Sequence, residues 1–99
     1  MTFYSSENSL KTFTADYVRE TTKGGSVRSY EIWDKTANQA WDSFTGQTLN
    51  SARPQGFPLQ GGTRLQYYPR SSSVSGHFPT IAHQKASGKA FWKLRFLNR

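Results

Sequence analysis

The chain has 99 residues, with thirteen Lys or Arg against six Asp or Glu and a formal net charge of +7. That length predicts a single small basic domain over residues 1–99. The absence of cysteine excludes disulfide staples and thiolate metal sites. No apolar run approaches the ~18 residues of a membrane span, and the opening Met-Thr-Phe-Tyr-Ser-Ser-Glu lacks the basic-then-apolar pattern of a signal peptide, so a cytoplasmic or virion-associated protein is expected.

Along the chain, residues 10–22 satisfy two patterns. Leu10, Phe13, Tyr17 and Val18 fall at helical spacing, with Ser9 as an N-cap. Phe13, Ala15 and Tyr17 also alternate among threonines, which suits a strand. The strand is preferred, because Lys23-Gly24-Gly25-Ser26 makes a hairpin turn into the alternating segment 27–34. Residues 35–38 then read as a turn and 40–44 as a returning strand, so that the Trp33-Asp34 and Trp41-Asp42 steps face each other across a hairpin; a short helix over 36–44 is the alternative. Residues 50–62 are rich in Pro and Gly without a period and predict a flexible loop.

Residues 63–68 read as a strand stopped by Pro69, and 69–79, with its serines, as a second flexible loop. Residues 81–85 and 89–97 make a final hairpin about Ala86-Ser87-Gly88. In its last strand, alternation puts Trp92, Leu94 and Phe96 on a core face and Phe91, Lys93, Arg95 and Leu97 on the other. The fold predicted is mainly β, a small antiparallel sheet or barrel of about five or six strands, or α+β if a short helix forms at 10–22 or 36–44. Val, Ile and Leu number 11 while Phe, Trp and Tyr number 15, so the core is expected to be aromatic.

The charge is unevenly placed. All six acids lie in residues 1–42 beside five basic residues, whereas 43–99 hold eight basic residues and no acid. The cations of the second half must face solvent, the N-terminal acids or an external anion. Several of them alternate with aromatic rings, the pattern of single-stranded nucleic-acid binding, in which cations hold phosphates and exposed rings stack bases. The candidate nucleic-acid or anion-binding residues are Arg64, Tyr67, Tyr68, Arg70, Lys89, Phe91, Lys93 and Arg95. Non-catalytic binding of nucleic acid is the leading expectation.

A structural or inhibitory interaction protein, of viral or mobile-element type and docking on an acidic protein, is the alternative that the single-sign field also fits. A small endoribonuclease is the third reading. It would need a base, an acid and a cation, for which Glu31, His83 and Arg70 are available, with His77 in reserve. His77 and His83, six apart with no acid nearby, define no metal set. No cofactor motif is present, and no basic amphipathic helix points to a membrane surface.

Overall fold

A computed structural model describes residues 1–5, 11–25, 27–70 and 77–98. Eight strands and one helix follow in chain order: β1 (Thr2–Tyr4), β2 (Thr12–Thr14), β3 (Val18–Glu20), β4 (Arg28–Ile32), α1 (Ala37–Thr45), β5 (Gln55–Pro58), β6 (Arg64–Tyr68), β7 (Thr80–Gln84) and β8 (Ala90–Phe96). The fold is thus mainly β, as the alternation predicts. β1 and β2 form a small hairpin, and the other six strands make one open sheet in the order β3-β4-β8-β7-β6-β5. The sheet does not close into a barrel: β3 and β5 are its edges.

Segment 10–22 is strand rather than helix among its described residues, but it is two strands, β2 and β3, broken at Ala15–Tyr17. Asp34 holds that break, its carboxylate accepting the N–H groups of Asp16 (2.8 Å) and Tyr17 (3.1 Å). The turn at Gly24-Gly25 joins β3 to β4 as expected, with Glu20 paired to Tyr30 and Val18 to Ile32.

The second half of the expected Trp-Asp hairpin is instead α1. Thr36 caps it in a reciprocal box: its Oγ1 accepts Gln39 N–H at 3.2 Å, and Gln39 Oε1 accepts Thr36 N–H at 2.8 Å. Gly46, at a left-handed φ of 70°, ends it. Ala37, Ala40, Trp41, Phe44 and Thr45 lie buried at i, i+3, i+4, i+7 and i+8, a single apolar stripe. Trp41 therefore belongs to the core and does not face Trp33.

α1 carries the chain across the inner face of the sheet from β4 to the far edge. From there β5, β6, β7 and β8 return as an antiparallel meander, and β8 closes the sheet by pairing parallel to β4. Segment 50–62, expected to be a loop, contains β5 and a 3-10 turn at Gln60–Gly62. Pro58 and Gly56 fit because β5 is an edge strand. Of the other expected loop, residues 71–76 lie outside the described residues.

The core lies between the inner sheet face and a layer made of α1 and the β1–β2 hairpin. It is aromatic, as composition predicts: Phe44 stacks on Trp92 at 5.6 Å, Phe13 contacts Phe44 (5.6 Å) and Phe96 (6.0 Å), and Phe3 meets Tyr30 edge-on at 5.1 Å. Such pairs contribute about 0.5–1.5 kcal/mol each beyond the area they bury. No helix of the described residues is long and apolar enough to cross a membrane.

Candidate functional site

With the core on one side of the sheet, the other face carries no described helix or strand. Register assigns its residues. One row across the strands runs Arg19, Glu31, Arg95, Thr80 and Tyr68, and the next runs Ser29, Lys93, Ala82, Gln66 and Gly56. Arg64 and Gln84 are partners beyond them. Four of the eight sequence-derived candidates, Arg64, Tyr68, Lys93 and Arg95, therefore share this outer face.

The fixed point among them is Gln84, which is buried although it belongs to the outer face. Its Oε1 accepts Arg64 Nε–H at 3.1 Å, and its Nε2 donates to the Tyr68 hydroxyl at 3.1 Å. The Arg64 bond uses Nε, which leaves the terminal guanidinium nitrogens for an anion. Tyr68 is paired with Thr80, and Thr80 lies four residues from Gln84 on β7, about 13 Å of strand. To reach Gln84 the tyrosine extends along the outer face past the register pair Gln66 and Ala82, of which Ala82 is fully buried. Tyr68 remains 37% exposed.

Lys93 is the register neighbour of Ala82 and so flanks that ring, with Arg95 two residues further along β8. Arg95 donates to Thr21 Oγ1 at 3.5 Å. Among the described residues the ion pairs are Arg19–Glu31 (2.6 Å) and Arg28–Glu20 (3.2 Å), both inside the N-terminal half. Arg64, Lys93 and Arg95 face no described carboxylate at ion-pair distance. An exposed ring beside cations with no described carboxylate partner can take a planar group and an adjacent anion together.

The other candidates lie elsewhere. Tyr67 is buried, part of the core, and donates its hydroxyl proton to the Ser51 carbonyl at 2.9 Å; burial pushes its phenol pKa up. It cannot stack a base. Phe91 leaves the Lys93 face, because a register shift between His83 and Gln84 interrupts the alternation. Its ring lies 4.7 Å from the His83 ring, and His83 is in turn 5.6 Å from Trp92 on the inner side. Lys89 is exposed at the β7–β8 turn, where its carbonyl accepts Lys85 N–H at 2.8 Å. Arg70 is exposed just beyond β6.

The residues of the ribonuclease reading are not brought together. Glu31 pairs in register with Arg95 on the outer face, and His83 pairs with Trp92 on the inner one. Desolvation lowers the pKa of His83, so burial keeps the imidazole neutral.

Sequence reasoning missed Gln84, and it missed an aromatic–cation cluster at the β3–β4 end of the outer face. There Arg19 Cζ sits 5.6 Å from the centroid of the Trp33 ring, with Trp33 at 42% exposure and Tyr17 at 69%. The alternation of Thr80, Ala82 and Gln84 opposite Ile81 and His83 was the signal that could have placed Gln84 beside the basic residues. Comparison of the chain with protein-family models, with curated proteins and with solved structures finds no match in any of the three.

Proposed function

We propose that this protein is a non-catalytic binding protein for single-stranded nucleic acid, which it takes up on the open outer face of its six-stranded sheet. The single observation that carries the reading is Tyr68, exposed and held along the outer face by its hydrogen bond to Gln84, with Arg64 on the same amide and Lys93 on the neighbouring strand. An exposed ring beside cations that have no carboxylate partner among the described residues fits a base and its phosphate. An acidic polypeptide would use the cations but has no need of the ring.

Binding of a fluorescent mixed-sequence oligonucleotide across a salt series tests this. With Arg64, Lys93 and Arg95 on phosphates, log K falls against log salt with a slope of about −2, from ~0.7 per contact on a single strand. Lys93→Gln or Arg95→Gln lowers the slope by about 0.7. Tyr68→Ala weakens binding roughly 5- to 150-fold and leaves the slope unchanged, the range expected for one lost stack. No binding at low salt overturns the reading. So does displacement of the oligonucleotide by polyglutamate at equal charge together with indifference to Tyr68→Ala, which would assign the face to an acidic protein.

A further inference from the structure

Trp33 is a large ring left in water by a chain that buries Trp41 and half-buries Trp92. Its surroundings are built rather than loose. The Trp33 backbone N–H donates to the Tyr17 carbonyl at 3.1 Å, and the Tyr17 backbone N–H is held by the Asp34 carboxylate. Burial tends to raise the Asp34 pKa, but the N–H groups of Asp16, Tyr17 and Asp34 itself, with Lys35 nearby, outweigh it and hold the carboxyl below its ordinary value. The backbone on both sides of Trp33 is thereby pinned.

The ring is pinned as well. Arg19 lies over it, and Glu31 Oε1 holds that guanidinium through Nε at 3.0 Å and a terminal nitrogen at 2.6 Å. Arg19 and Glu31 are register partners on the outer face, so Trp33 reaches the same face as Tyr68. An exposed ion pair of this kind adds only about 0–1 kcal/mol of stability, too little to be the reason for leaving a tryptophan in solvent. As a stacking surface the arrangement is preorganised, with the cation backing the ring and the side chain already ordered.

We infer that Trp33, backed by Arg19, is a second base-stacking platform, and that a single strand crosses the sheet diagonally from Tyr68 to Trp33 with its phosphates over Lys93 and Arg95. The inference rests on the proposed function and gives it a path and a length. β4 and β6 are three strand spacings apart, about 14 Å. Tyr68 points along the strand direction toward Gln84, while Trp33 lies two residues past Glu31 in the opposite sense. The two rings are then roughly 20 Å apart, with Arg95 near the line between them and Lys93 beside its Tyr68 end. That span is about six nucleotides at the ~3.4 Å rise of a stacked strand, and fewer for an extended one.

Titration of the intact chain with a trinucleotide and an octanucleotide tests the path, with tryptophan emission and oligonucleotide anisotropy read together. Trp33 is the most accessible tryptophan, since Trp41 is buried and Trp92 half-buried, so saturation with the octanucleotide quenches emission. Trp33→Leu weakens octanucleotide binding roughly 5- to 150-fold and leaves the trinucleotide unaffected. Trp33→Phe removes the quenching while restoring most of the affinity. The inference is overturned if the parent emission is unchanged at saturation, a measurement that needs no variant, or if Trp33→Leu binds the octanucleotide as the parent does. An octanucleotide that does not bind the parent chain at all overturns the proposed function, and this path with it.

Discussion

The His83 imidazole lies against Phe91 and Trp92, with Thr63 Oγ1 at 3.4 Å. Desolvation there favours the neutral ring and lowers its pKa. The linkage has a definite sign. As pH falls below the unfolded value of about 6.5, the unfolded chain takes up a proton that the folded chain refuses, and stability declines until the lowered folded value is passed. Denaturant unfolding at pH 7.5, 6.5 and 5.5 should therefore show a falling unfolding free energy. His83→Gln should remove most of that slope, and an unaltered slope in the variant would mean that His83 titrates like a free imidazole. The same residue explains why Phe91 was misassigned from sequence: period-2 alternation assumes an unbroken ladder, and the shift at His83/Gln84 turns one residue to the other side.

At the scale of elements, α1 was legible in principle and the hairpin reading missed it. Thr36-x-x-Gln39 is a capping box, Gly46 a C-terminal stop, and Ala37, Ala40, Trp41 and Phe44 mark one helical face. The repeated Trp-Asp step drew the eye to a symmetry between 33–34 and 41–42 that has no counterpart in space. Thr36→Ala should lower stability by about 1 kcal/mol, the usual worth of such a cap. Gly46→Ala should be destabilising too, because alanine would have to hold the left-handed φ of 70° at this position. Chemical denaturation of both variants checks this, and parental midpoints would mean the helix ends are set by packing alone. The strands at 27–34, 63–68 and the final hairpin were readable because alternation and turn residues agree. The parallel pairing of β4 with β8 was not, since the two strands stand more than fifty residues apart and only the crossover through α1 brings them together.

For the whole molecule, the split of charge along the chain becomes a split in space. In the N-terminal half Arg19 pairs with Glu31 and Arg28 with Glu20, while three of the later cations, Arg64, Lys93 and Arg95, share the outer face. An open sheet also has open edges, which invite pairing with other chains unless something blunts them. β3 is short and carries Arg19 and Glu20. On β5 the direction of the hydrogen bonds decides the matter. Leu59 N–H donates inward to the Thr63 carbonyl at 2.9 Å, so in an antiparallel ladder the neighbouring position, Pro58, has its nitrogen turned to the free edge. Proline there removes the donor that an incoming strand would use, at no loss to the ladder with β6. Pro58→Thr restores that donor and adds a residue that favours strands. Sedimentation velocity over a concentration series should show more self-association for Pro58→Thr than for the parent chain, with circular dichroism unchanged. Equal association of the two would place the protection of this edge elsewhere, in the brevity of β5 and the turn at Gln60–Gly62 that follows it.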